Sequence, residues 1–210
     1  MGIFSFFRKP KPEEAARSIV EKFVFASLLY GKEVPQLYSR ELAHPNNQQS
    51  ANAGVEVAYL LLHLLDREIC ARLGTSRRDV LFDSIAQNVI ASYAKAVLRS
   101  ETPPDLLFEA AKQMQDTLNL RQITYSRCRS LLGEPFPGIG SMAFAFCFFI
   151  RRAIGQNTRT DVDDILAGEK TISESDQSNF PDVETAYRGA VWIGSTLKTL
   201  RMQDDAKYLR

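Results

Sequence analysis

The sequence predicts an all-α fold: a single-domain helical bundle of six or seven helices, with a buried apolar helix near 141–154. Three observations predict it. Every long apolar segment keeps the 3.6-residue spacing of a helix face. Capping residues or prolines stand where these segments begin, and Gly31, Gly74, Gly133 and Gly155 stand where they end. The 210 residues suit one domain better than two, and can bury a core without metal or disulfide staples.

Residues 1–11 read as a flexible or docked head of phenylalanines and basic residues, ahead of a helical domain over 12–202 and a charged tail over 203–210. Phe4, Phe6 and Phe7 beside Arg8, Lys9 and Lys11 suit weak peripheral contact with a membrane surface. The first helix runs from about Pro12 to Tyr30, with proline in its first turn and Glu13 and Glu14 at the positive end of its dipole. Residues 31–51 read as a connection with one short helix at 36–42, and His44-Pro45-Asn46-Asn47 as a turn. A second helix spans about 52–73. A third follows at once, with Ser76 and Asp79 in capping positions, and runs to about Leu98. So short a connection makes these two an antiparallel hairpin. Thr102, Pro103 and Pro104 open a fourth helix that bends near Asn119 and ends at Gly133.

The segment 141–154 alternates small and large residues as a strand would. Helix is the better reading, because Ser141 can cap it, Arg151 and Arg152 suit its last turn, and no partner strand exists elsewhere. A short helix over 161–167, a polar loop over 168–181 and a last helix over 182–202 complete the chain. On that last helix Val183, Ala186, Tyr187, Ala190, Ile193, Leu197 and Leu200 share the expected core face. The single tryptophan, Trp192, falls on the other side. With Arg188 and Val191 it makes the candidate interface for self-association or a protein partner.

Lys and Arg number 26 against 25 for Asp and Glu, a balance that argues against dedicated nucleic-acid binding. Cys70, Cys128 and Cys147 are dispersed among apolar neighbours, as in a cytoplasmic protein with reduced thiols. The longest apolar run, Met142 to Ile150, is far below the ~20 residues that cross a bilayer. Two histidines and three scattered cysteines leave no closed ligand set, so neither metal nor cofactor is expected.

Three motifs have the composition of chemical sites. Gly138-Ile139-Gly140-Ser141-Met142-Ala143 matches the dinucleotide pattern, but the strand that the motif needs is missing; what survives is loop amides able to hold an anion. Asp161, Asp163 and Asp164 lack the spacing of a calcium loop and read as dipole complements. Arg121, Arg127, Arg129, Arg151 and Arg152 form a candidate anion patch if the fourth and fifth helices are neighbours.

The second helix carries the strongest signal. Asn52, Glu56, Tyr59, His63, Asp66, Arg67 and Cys70 fall within an arc of about 100° at ~100° per residue, opposite a leucine-rich side. Glu56, Tyr59, His63 and Asp66 are therefore the candidate pocket or polar network. Two readings follow. A non-catalytic helical module acting through protein contacts, with a tendency to self-associate, requires that stripe to be solvated. A small-ligand binder, metal binder or enzyme requires it to line a pocket, with Arg121 and Tyr125 nearby.

Overall fold

The structure is a computed structural model that describes residues 11–37, 45–131, 138–155, 162–200 and 207–209. Its helices are α1 (Pro12–Glu33), α2 (Asn47–Leu73), α3 (Thr75–Val97), α4 (Pro104–Arg127), α5 (Met142–Ala153), the single turn α6 (Asp163–Leu166) and α7 (Val183–Leu200). Short 3-10 turns follow α1 at Val34–Leu37 and precede α7 at Glu174–Asn179. The described residues hold no strand, so the all-α bundle expected from the sequence is the observed fold. The head with Phe4, Phe6 and Phe7, His44, most of the short helix expected over 36–42, Asp161 and most of the tail lie outside the described residues.

The boundaries shift for local reasons. Helix α1 runs on to Glu33 because Gly31 serves packing instead of termination. A Cβ at Gly31 would sit 2.4 Å from the Ser50 carbonyl oxygen and 2.8 Å from the Gly54 Cα. One at Gly54 would sit 2.2 Å from the Tyr93 hydroxyl. These two glycines let the α1 and α2 backbones touch. Helix α2 starts five residues before the expected Asn52, because Asn46 caps it. The Gln49 amide donates to the Asn46 side chain (2.8 Å) while the Asn46 amide donates to Gln49 Oε1 (3.0 Å), a reciprocal box that the Pro45 turn obscured in the sequence. Between α2 and α3, Gly74 takes φ +76°, a conformation that other residues rarely adopt. The expected Ser76–Asp79 cap is not made: Gly74 is the N-cap residue, and Asp79 pairs with Arg78. Helix α4 continues through Asn119 as one helix and stops at Arg127, because the next residues are engaged by the entry to α5. The Arg129 amide donates to the Gly140 carbonyl, and the Met142 and Ala143 amides donate to the Ser130 and Leu131 carbonyls.

Helix α5 is the centre of the fold. Every residue from Met142 to Ile150 is buried, and Ser141 caps it by accepting from the Phe144 amide at 3.1 Å. Phe144, Phe146, Phe148 and Phe149 are enclosed as expected, with α2, α4 and α7 packed around them. No helix among the described residues is long and apolar enough to cross a membrane.

Helix α7 is rotated relative to the sequence reading. Thr185, Ala186, Gly189, Ala190, Ile193 and Thr196 face inward, while Val183 and Tyr187 lie exposed. Trp192 packs against the core instead of standing in solvent: its indole stacks on Phe146 at 5.3 Å and meets the edge of Tyr30 at 5.3 Å. The reason is volume. The α5 phenylalanines already fill the space, so α7 turns its small side toward them, and a Cβ at Gly189 would lie 2.3 Å from Cys147 Sγ. Arg188 and Val191 keep their surface positions.

Candidate functional site

The polar face of α2 is turned into the protein. Its first turns hold α5: Asn52 Nδ2 donates to the Ala153 carbonyl (3.1 Å) and Gln49 Nε2 to the Ile154 carbonyl (3.2 Å), satisfying the open C-terminal end of that helix. One turn further on, Glu56 is 5% exposed and receives the Arg121 guanidinium of α4 through two bonds, Nε to Oε2 at 2.8 Å and Nη2 to Oε1 at 2.6 Å. The same guanidinium lies 3.6 Å from the centre of the Phe149 ring, so a cation–π contact with α5 completes its surroundings. Tyr59 is buried beside this pair; burial and then the Glu56 charge push its phenol far above the ordinary range. Tyr125 of α4 is fully enclosed, and burial raises its phenol likewise.

His63 lies one further turn along α2. Its Nδ1 is 2.5 Å from Gln122 Oε1, so Nδ1 carries the hydrogen and Nε2 the lone pair. Neither His63 Nε2 nor Gln122 Nε2 has a hydrogen-bond partner. Burial is the main force holding the imidazole below its usual pKa; the Gln122 bond opposes it, Arg67 adds to it, and Asp66 opposes it weakly. Asp66 is held by Arg78 of α3, whose Nη2 donates to Oδ2 at 2.9 Å and whose Nε contacts Oδ1. Arg78 also pairs with Asp79 at 2.9 Å and lies over the Phe82 ring.

The stripe ends in an open cleft of about 720 Å³ between α2, the start of α3 and the end of α4. His63, Arg67 and Cys70 line one side, Arg78 another, and Gln122 and Ser126 the third. Arg67 is exposed and has no ion pair among the described residues. Cys128 also reaches the cleft, but burial pushes its thiol up to about 11, so it stays protonated near neutral pH.

Of the four residues marked in the sequence, three are matched singly by a residue from another helix, Glu56 by Arg121, His63 by Gln122 and Asp66 by Arg78, and only His63 and Asp66 line the cleft. Of these partners the sequence reading had considered only Arg121. Gln122 and Arg78 carried no signal, since a single amide or arginine on an amphipathic helix looks like surface. The candidate anion patch is divided among separate partners. Arg121 serves Glu56, Arg127 pairs with Asp164 (2.8 Å) and Glu169 (2.5 Å), Arg129 donates to the Gly168 carbonyl and Arg151 to the Phe180 carbonyl, while Arg152 stands half-buried in the last turn of α5. The first amides of α5 are not offered to an anion, because Ser141, Met142, Ala143 and Phe144 all donate within the protein. Asp163 accepts from the Thr124 hydroxyl at 2.8 Å and Asp164 is held at about 2 by Lys170 and Arg127, so the acidic run is spent on local contacts. No cluster of His, Cys, Asp and Glu among the described residues has the arrangement of a metal site. No protein-family model matches the chain, and no curated protein and no solved structure matches it either, so the reading of the site rests on its own geometry.

Proposed function

We propose that the chain is a binding protein, and that the cleft between α2, α3 and α4 takes a small polar ligand. The observation that carries this is the pair of buried, unpartnered polar atoms at its wall, the lone pair of His63 Nε2 and the amide hydrogens of Gln122 Nε2. A buried polar atom without a partner destabilises a fold by roughly 1–3 kcal/mol. Two such atoms beside one cleft are what a site looks like when its ligand supplies the missing bonds. The ligand offers a donor to His63 and an acceptor to Gln122, and Arg67 at the rim favours an anionic end.

Binding suits these residues better than turnover. Glu56 and Asp66 are each engaged by an arginine, the imidazole is bound to an amide instead of a carboxylate, and the Cys128 thiol is protonated. A reducing cytoplasmic setting suits three cysteines of which none is in a disulfide. The near-neutral charge favours small molecules or protein over nucleic acid.

Native mass spectrometry of the untreated protein tests the proposal. The expected spectrum shows a retained small-molecule adduct that disappears in Gln122→Leu while the apo mass and helix content persist. Iodoacetamide labelling of Cys70, which lines the same cleft, should run slower in the loaded protein than after the adduct is stripped. An adduct indifferent to Gln122→Leu, or no adduct together with unchanged amide resonances around His63 in a mixture of small polar metabolites, refutes it.

A further inference from the structure

Helix α7 presents a second face with a chemistry of its own. With the core side occupied by Ala186, Gly189 and Ile193, the outer side carries Val183, Tyr187 and Val191, which are 62%, 54% and 56% exposed. At ~100° per residue these three share an arc of about 80° with Gly194 and Lys198, and Glu184 lies at its border. Gly194 is informative because the fold does not require it. A Cβ there would have nothing within 4 Å, unlike one at Gly189 on the inner side, and its helix is weakened by a mid-helix glycine. A glycine that intramolecular packing leaves unexplained, beside exposed Tyr and Val, marks a place where another surface approaches closely.

The charges say which surface. Glu184 and Lys198 each stand seven residues from Val191, one toward each end of the helix. When two copies of α7 cross antiparallel on a two-fold axis at Val191, the Val191 side chains meet each other. Glu184 of each copy then faces Lys198 of the other. Tyr187 of each copy falls opposite Gly194 and Ser195, where the missing side chain leaves room for the ring. Neither Glu184 nor Lys198 has an ion-pair partner among the described residues. We infer that the outer face of α7 is an isologous self-association surface, and that its occupant is a second copy of this chain in that register.

The area sets the strength. Eighteen residues make a helix of about 27 Å, and a face roughly 10 Å wide gives a footprint on the order of 300 Å² per copy. That is well under the ~800 Å² per partner of a standard interface, so the dimer is weak. Tyr187 is the residue that dominates it, as a large ring held by two torsions.

Sedimentation of the full chain tests this. The weight-average mass should rise from 23.7 kDa toward twice that value as concentration rises to about 1 mM at low salt. Glu184→Lys puts like charges together twice and should weaken association about tenfold. Adding Lys198→Glu should restore it, which a merely structural role for either residue does not predict. Gly194→Leu should raise the melting midpoint while abolishing the dimer, because the new side chain is free of clashes within one copy and fills the space that Tyr187 needs. A wild-type chain that stays monomeric at about 1 mM, a dimer that survives both Glu184→Lys and Gly194→Leu, or a charge exchange without recovery overturns the inference.

Discussion

Replacing Arg121 by methionine should destabilise this protein by about 3–5 kcal/mol, although the residue is charged and nothing in its sequence neighbourhood marks it as core. The magnitude comes from its surroundings. Its side chain is 11% exposed and that of Glu56 is 7% exposed, so removing the guanidinium strands a carboxylate in the interior between Tyr59 and Tyr125. Two charge-assisted hydrogen bonds vanish, each worth ~1.5–3 kcal/mol. The contact with Phe149 adds on the order of 1 kcal/mol, part of which a methionine sulfur beside the ring returns. The companion change Glu56→Leu should be milder, because the long arginine side chain can bend its charged end toward water and a short carboxylate cannot. The double variant Glu56→Leu/Arg121→Met should recover most of the loss and end within about 1 kcal/mol of the wild type, since apolar replacement of both partners removes the desolvation cost with the attraction. Urea unfolding followed by circular dichroism, with m-values compared, gives all four corners of the cycle. A loss below about 1 kcal/mol for Arg121→Met, or a double variant as unstable as the sum of the singles, would refute the claim that these charges are held in a low-dielectric interior.

Phe146→Ala should cost about 3–5 kcal/mol by denaturant titration, because the ring is fully enclosed in α5 and also supports the Trp192 indole. Trp192→Ala should lower stability by about 2–3 kcal/mol and leave the sedimentation behaviour unchanged, since its partners Tyr30 and Phe146 belong to the same chain; a loss of association with intact stability would return Trp192 to the surface. Gly54→Ala should cost about 2 kcal/mol or more, as the new methyl would displace Tyr93, whose hydroxyl donates to the Ala51 carbonyl at 2.7 Å. His63 makes stability depend on acid. Its folded pKa is depressed, so between that value and the ordinary histidine range near 6.5 the unfolded chain binds the extra proton and stability falls as pH falls. The slope is at most about 1.4 kcal/mol per pH unit, which bounds the effect at roughly 2 kcal/mol by pH 5. The groups that face the ring are Asp66 and Arg67 on α2 with Gln122 and Tyr125 on α4. His63→Gln, which can still bond Gln122, should flatten that part of the pH–stability curve, and an unchanged slope would place the acid sensitivity elsewhere.

The fold was legible because each helix was marked twice, by period and by ends. Met142–Ala153 shows this best. Its small–large alternation imitates a strand, yet Ser141, the paired arginines and Gly155 describe a helix, and the ends decided correctly. Where only one kind of mark existed, the reading slipped. The Asn46–Gln49 box lay directly behind Pro45, so the turn signal hid the cap. On α7, ranking side chains by hydrophobicity placed Val183 and Tyr187 inward beside Ala186 and Ala190, whereas the volume of α5 demanded Thr185, Gly189 and Thr196 in their place. Which face of a helix is buried depends on what the neighbour has already filled, and a single segment does not contain that information.

The α2 stripe shows the same limit in polar form. Its arc of Glu56, Tyr59, His63 and Asp66 was plain from helical geometry, but the same arc is compatible with water or with protein on its far side. What decides is whether another helix brings matching groups at matching heights. Glu56 meets Arg121 and His63 meets Gln122, seven residues apart on α2 but adjacent on α4. These two contacts fix the height of α4 against α2, and a register slip by one turn would leave a carboxylate and an imidazole buried without partners. An apolar seam would tolerate that slip at small cost. The polar pairs therefore specify where α4 crosses, and by doing so they hold Gln122 and Ser126 at the mouth of the cleft. Fold specificity and the proposed site rest on the same few bonds, which is why Arg121→Met should impair ligand retention in the cleft even where the helices remain formed.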